Sequence, residues 1–290
     1  MGFLLPFMLS PSNSRRYIRR MTVQLAIIGA GNMAEAIARG ILRAGIIPPQ
    51  NIRAADPTPQ RCQFFQNELG IASTDDNRQA VRGASVVLLS VKPYQAKDVL
   101  SQLGPAMVEG ALLVSIAAGI SSRFIEESLG GGRQWRVVRT MPNTPMLVGS
   151  GMAAIAPGRY ATAADLDTAR ALFQAAATII QVDESKIDAV TALSGSGPAY
   201  FFFLVEQLIA AGIELGLSPS DAATLAKQTA FGSARMMQES PDTPAALRGK
   251  VTTPNGTTHA AITHMENNDW PRITREAIKA AAKRSAELGM

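Results

Sequence analysis

The stretch that most constrains this chain is Val23 to Ala34, VQLAIIGAGNMA. Leu25 to Gly29 is a run of apolar or small residues, the composition of a strand buried on both faces. Gly29-Ala30-Gly31 turns the chain. From Asn32 the pattern becomes helical, with Met33, Ile37, Ile41 and Leu42 on one stripe. Gly29 permits the tight turn, and Gly31 lets a pyrophosphate approach the backbone. The N–H groups and dipole of the helix start, at Asn32, Met33 and Ala34, favour its negative charge. Ala34 stands where the third glycine of the dinucleotide-binding fingerprint usually sits, an allowed variant. The alternative is a tight turn in an α/β fold with no nucleotide; the strand-to-helix context favours the nucleotide.

With 290 residues the chain is long enough for a large core and two domains. Its 47% hydrophobic and 18% charged residues are those of a globular protein. A pI of 9.6 invites a nucleic-acid partner. The positive charge is concentrated, however. Arg15, Arg16, Arg19 and Arg20 stand in a segment without an acid, and removing those four from the net +5 leaves +1. The body has no basic stripe, so no nucleic acid is expected. Cys62 is the one cysteine, which excludes an intramolecular disulfide. With only His259 and His264 beside it, no metal site is expected, and a reducing cytoplasm fits.

Residues 1–20 read as a disordered extension, with Met21 opening the folded chain. MGFLLPFML is apolar and SPSNSRRYIRR is polar and basic, the reverse of a secretory signal. The apolar run is too short to span a bilayer, and Pro6 stands where myristoylation wants Ser or Thr. A basic surface anchor is the alternative.

Residues 21–183 alternate strands and helices. Strands are expected at Asn51–Ala55, Ser85–Val91, Ala111–Ser115, Arg136–Met141, Met152–Ala156 and Thr178–Val182. Helices are expected at Pro59–Leu69, with Gly70 as its stop, at Asp75–Arg82 and at Ala164–Ala176. Strands separated by helical segments imply parallel pairing through crossovers, so the expected fold is a doubly wound, Rossmann-type sheet. From Glu184 the strand signal disappears, and residues 184–290 read as an all-α domain. Pro198–Leu217 is a long helix, followed by helices at Ser220–Gln238, Thr243–Val251, Thr258–Asn267 and Pro271–Glu287. The first of these is apolar on several sides, from Tyr200 to Val205. Glu206, Gln207 and Glu214 argue against a membrane span. A domain of about 100 residues has little interior to hide such a helix, so it belongs in a subunit interface.

Ligands of doubly wound sheets bind outside the carboxyl ends of the strands. Asp56 follows the second strand, either as the acid that takes ribose hydroxyls and repels a 2′-phosphate or as a helix cap. Arg53 and Arg61 flank it and soften that repulsion. Val91, Lys92 and Pro93 end the SVVLLSV strand; Lys92 meets ribose or phosphate, or is simply solvated. Ala117-Ala118-Gly119 lets a flat ring lie close. Asn143, in the loop Met141-Pro142-Asn143-Thr144-Pro145, can bond an amide or carboxylate or can fix the loop itself. In the helical half, Ser194-Gly195-Ser196-Gly197-Pro198 offers free N–H groups before the long helix. Thr252-Thr253-Pro254-Asn255-Gly256-Thr257-Thr258 joins hydroxyls to a helix start, a good carboxylate seat. Ordinary helix capping is the alternative for both.

IGAGNMAEAI, SVKP, VSIAAGI, VRTMPNTP, DAVTALSGSGPAYFF and VTTPNGTTHAAI, in that order, resemble pyrroline-5-carboxylate reductase from about Val23 to Leu288. The resemblance implies reduction of the cyclic imine 1-pyrroline-5-carboxylate to L-proline, the last step of proline biosynthesis. It implies NADP(H) as cofactor, with NAD(H) as the alternative, and a helical domain that builds homodimers or higher oligomers. It implies that Thr253, Gly256, Thr257 and Thr258 hold the substrate, with Thr258 nearest the ring nitrogen. Ser194 to Pro198 would shape the pocket, and Asn77 would contact the adenosine side. An active site completed by two chains is a further expectation. An iminium carbon is already electrophilic, so positioning suffices without a strong base. A β-hydroxyacid dehydrogenase is the nearest rival. That class needs a catalytic lysine, and Pro198–Leu217 contains none. A non-catalytic NAD-binding regulator would not need the hydroxyl-rich loop.

Overall fold

The computed structural model describes residues 25–288, so the expected extension over 1–20 and the onset at Met21 lie outside the described residues. The chain forms two compact units, residues 25–195 with 282–288 and residues 196–281.

The first unit is built on an eight-stranded sheet of order β3-β2-β1-β4-β5-β6-β7-β8. Strand β1 is Leu25–Ile28, followed by helix α1 at Asn32–Arg43 and β2 at Ile52–Ala55. Then come α2 (Pro59–Leu69), β3 (Ala72–Thr74), α3 (Asn77–Val81), β4 (Val86–Leu89), α4 (Ala96–Leu103), β5 (Leu112–Ser115) and α5 (Ser122–Leu129). Strands β6 (Arg136–Pro142) and β7 (Gly151–Pro157), helix α6 (Ala163–Phe173) and β8 (Ala177–Gln181) complete the sheet. Side chains alternate between its faces. Leu25 and Ile27 pack with Ile37, Phe65 and Phe173 of α1, α2 and α6. Ala26 and Ile28 pack with Val81, Leu100 and Ile125 of α3, α4 and α5. Helices therefore cover both faces, and the sheet is doubly wound. Its switch point lies between β1 and β4, where successive crossovers leave in opposite directions.

The expectation of parallel pairing throughout fails at one place. β6 and β7 pair antiparallel, with Thr140 opposite Ile155. The connection from Asn143 to Ser150 holds only a short 3₁₀ turn over Thr144–Val148, and a parallel return needs a crossover of a dozen or more residues. α6 then supplies such a crossover, and β8 is again parallel to β7. The short edge strand β3 and the helices α4 and α5 complete what the sequence pattern left unassigned.

By compactness the chain divides after Gly195. Helix α7 (Ile187–Val190) and the π-helical turn Thr191–Gly195 remain on the sheet unit. Ile187 packs with Met141, Ala154 and Ala156. The buried Arg139 guanidinium lies 3.5 Å from Glu184 and 3.8 Å from Asp188.

The second unit contains α8 (Gly197–Glu214), α9 (Pro219–Glu239), α10 (Pro244–Lys250), α11 (Thr257–Asn267) and most of α12 (Trp270–Leu288). α8 and α9 pack closely because position 212 has no side chain: a Cβ there would sit 3.1 Å from the Ala222 Cβ. Only Gly197, Ala222 and Ala226 are buried among residues 196–281. Phe201, Phe202 and Phe203 are 62, 68 and 64% exposed. By length and hydropathy alone the helical stretch Glu184–Glu214 could cross a membrane. The last residues of α12 return to the first unit, where Ser285 Oγ donates to Asp188 Oδ1 at 2.7 Å.

Candidate active site

The glycine turn follows β1 at the carboxyl edge of the sheet. Gly29 has φ +90, and a Cβ there would meet Ser90 O at 2.6 Å, so both conformation and space demand glycine. Gly31 caps α1 in an extended conformation, and nothing in the protein lies within 4 Å of where its Cβ would be. α1 has no side-chain cap, and its first intrahelical bond is Glu35 N to Gly31 O at 3.0 Å. The N–H groups of Asn32, Met33 and Ala34 thus form an uncapped helix start, the geometry that accepts a phosphate. Ala34 is fully buried beneath it.

The peptide of Ala30 is clasped from both sides. Its N–H donates to Asp56 Oδ2 at 2.7 Å, and its carbonyl accepts from Arg61 Nε at 2.6 Å. Asp56 Oδ1 accepts from Thr58 N at 2.9 Å, which ties the end of β2 to the start of α2. Arg61 also pairs with Glu35 at 3.0 Å and stacks 4.8 Å over the Phe64 ring. Arg53 is engaged elsewhere, donating to Arg82 O at 2.8 Å. Neither the clasp nor the Arg61–Glu35 pair is visible as a motif, because its members are 26 to 31 residues apart.

The remaining residues line the same edge. Asn77 opens α3, behind the cap that Asp76 provides to Arg78 N. Val91, Lys92 and Pro93 follow β4; Lys92 is exposed and begins a short 3₁₀ turn. Ala117 is buried after β5, its N–H on Ser115 Oγ at 3.3 Å. Asn143, at the end of β6, accepts from Met152 N at 2.8 Å and donates to Ser194 O at 3.1 Å. That is the loop-fixing alternative, and it joins β6, β7 and the π-turn. In that turn the Ser194 hydroxyl donates back to Val190 O at 3.0 Å, while Gly195 lies against Met141. A π-helical turn before a long helix is often a functional feature, and periodicity at 3.6 residues does not reveal it. Ser196, Gly197 and Pro198 begin the second unit.

The Thr252–Thr258 loop also lies in the second unit. Thr252 Oγ1 donates to Arg248 O at 2.7 Å, and Gly256 N donates to Thr253 O at 2.9 Å. Gly256 caps α11 in an extended conformation without a side-chain acceptor. Thr253 and Thr257 are exposed, and Thr258 is half-buried. Among the described residues no cluster of three or more His, Cys, Asp or Glu could hold a metal ion.

Comparison with known proteins agrees with this anatomy. The family model for pyrroline-5-carboxylate reductase dimerisation matches residues 184–288. A second, described as NADP oxidoreductase coenzyme F420-dependent, matches residues 24–119. Pyrroline-5-carboxylate reductase of Pseudomonas aeruginosa is 45% identical over 268 residues, covering 92% of this chain and 97% of that protein. The Pisum sativum reductase is 40% identical and covers 91% and 95%. The solved reductase of Coxiella burnetii superposes with a TM-score of 0.85 at 36% identity, over 93% of this chain and all of that one. The Plasmodium falciparum reductase, solved with NADP bound, gives 0.82 at 29% identity over 92% and 98%. A 3-hydroxyisobutyrate dehydrogenase of Salmonella typhimurium shares the fold alone, at 17% identity and a TM-score of 0.52. The chain belongs to the pyrroline-5-carboxylate reductase family.

Proposed function

We propose that this chain reduces 1-pyrroline-5-carboxylate to L-proline with NADPH as hydride donor and NADH as the alternative one. The observation that carries this is the similarity to reductases over 92% of the chain, which includes both the glycine turn and the hydroxyl-rich loop. The dinucleotide fits the residues present. Gly31 leaves open space above an uncapped helix start, and Gly29 lets β1 and β4 lie close beneath it.

When bound, the nicotinamide supplies a hydride. The chain's own residues do the rest. Gly29 to Ala34 would seat the pyrophosphate, and Asp56, Asn77, Val91, Lys92 and Pro93 would frame the adenosine end. Ala117 and Asn143 bound the nicotinamide side, with Asn143 acting through the loop it fixes. Thr253, Gly256, Thr257 and Thr258 hold the substrate carboxylate, and Ser194 to Pro198 shape the wall. The imine nitrogen would take its proton from solvent, so no side chain need supply one. The Thr258 hydroxyl would hold and orient the ring nitrogen of the substrate. No basic side chain has to remove a proton, so orientation provides the rate enhancement.

The reading further takes the protein as a cytoplasmic homodimer or larger homo-oligomer, without a nucleic-acid or membrane partner. The exposed phenylalanines of α8 lie within the dimerisation match and support the self-association. The test follows NADPH absorbance with pyrroline-5-carboxylate as substrate. Oxidation should require both compounds. Thr258→Ala should lower kcat/KM roughly ten- to a hundredfold, the worth of one lost hydrogen bond at the reacting centre. NADPH oxidation that ignores the imine would overturn the assignment.

A further inference from the structure

The Thr252–Thr258 loop turns through Asn255 at φ 61, a left-handed backbone that few non-glycine residues adopt and that Asn tolerates best. Gly256 follows as the cap of α11. Having no side chain, it cannot give the first turn an acceptor. His259 stands at the third helical position. Its Nδ1 accepts the N–H of Asn255 at 3.2 Å. A capping box would join this position to the N-cap N–H; here the bond reaches one residue further back, to the residue before the cap. Gly256 N is held by Thr253 O at 2.9 Å, and Ala260 N by Gly256 O at 3.0 Å. Between these engaged donors lie the N–H groups of Thr257, Thr258 and His259, which belong to the first turn and have no intrahelical acceptor.

We propose that His259 is a positioning residue for the substrate. Its imidazole holds the Asn255 N–H, locks the left-handed turn, and so keeps the first-turn N–H groups and both threonine hydroxyls aimed at the substrate carboxylate. The inference rests on the reading of this loop as the carboxylate seat. It requires Nδ1 without a proton, so the neutral ring carries its hydrogen on Nε2. Without the clasp Asn255 relaxes towards the common negative-φ region. The competent seat is then populated for only part of the time, and apparent affinity falls by that fraction.

The test uses the full chain with His259→Ala, His259→Asn and Thr258→Ala. KM for pyrroline-5-carboxylate and for NADPH, kcat, melting temperature and exchange of the Asn255 amide are measured. His259→Ala should raise the substrate KM roughly threefold or more, because the competent seat is then populated for only part of the time. The Asn255 amide should exchange faster, while the KM for NADPH holds. Asn places its Oδ1 as many bonds from Cβ as Nδ1, so His259→Asn should restore both substrate KM and amide protection. A raised KM that Asn fails to rescue would make His259 a packing residue and overturn the clasp. So would an unchanged substrate KM in His259→Ala beside a raised one in Thr258→Ala, and the carboxylate seat would then stand. If neither variant moves the substrate KM, the seat itself is wrong and the clasp falls with it. Should His259→Ala melt early, the Asn variant and the Asn255 amide still decide the matter.

Discussion

A methyl group on Gly29 would sit 2.6 Å from a backbone oxygen of β4's continuation, in a backbone conformation that L-residues avoid. One on Gly31 would meet nothing of the protein within 4 Å. The two glycines therefore serve different ends and should fail differently. Gly29→Ala should destabilise the fold by about 2 kcal/mol or more, read as a lower melting temperature. Gly31→Ala should melt like the wild type yet bind NADPH much more weakly, because the added methyl occupies space meant for the pyrophosphate. Calorimetry of folding and of NADPH titration separates them. Asp56 has two roles to separate in the same way. Placed beside the adenosine ribose as proposed, its negative charge would disfavour a 2′-phosphate, so Asp56→Ser should move the kcat/KM ratio towards NADPH. As the acceptor for Ala30 N it anchors the turn, so the same change should weaken both cofactors by about 1–3 kcal/mol. A shift in preference with no common loss would show that the clasp does not matter for binding.

Among the elements, α5 carries a titrating group with a clear direction. Burial pushes the Glu126 carboxyl up from its ordinary value, against a backbone hydrogen bond from Arg159, and the like charge of Glu184 adds to the rise. Its Oε1 is buried and has no hydrogen-bond partner among the described residues. A raised carboxyl value means that the folded state holds the proton more tightly than the unfolded chain. Stability from this group is thus complete at acid pH and is lost as pH rises through the folded value. Glu126→Gln should raise the melting temperature at pH 7, and the advantage should vanish near pH 4 and below. An advantage equal at both ends would remove the carboxyl as its cause. Elements of this kind were legible in the sequence to different degrees. Pro59–Leu69 was readable to the residue because Pro opens it and Gly70, at φ 66, closes it. β1 was readable from an apolar run and a glycine turn. The reversal between β6 and β7 was not, since alternation says nothing about strand direction and only the eight-residue connection decides it. The candidate site was legible as a pattern where its residues are local, in the glycine turn and the hydroxyl-rich loop. It was hidden where partners are distant, as in the Ala30 clasp, or where a bond needs a particular φ, as at Asn255.

At the scale of the whole molecule, residues 196–281 bury just Gly197, Ala222 and Ala226, while three consecutive phenylalanines face outward. Association that covers them removes apolar surface from water at about 25 cal/mol per Å². Phe202→Glu should therefore shift sedimentation towards smaller species and lower the melting temperature together; dissociation without a loss of stability would separate assembly from folding. A helical unit with so little interior obtains its core from another copy of itself. Its melting temperature should then climb with protein concentration, as mass action demands of a folded state made of more than one chain. The same logic reaches gene dosage. In the regime where most chains are unpaired, dimer varies as the square of chain supply, so halving synthesis should cut the assembled enzyme by about fourfold. For a protein that completes its interior by pairing, output falls more steeply than expression does.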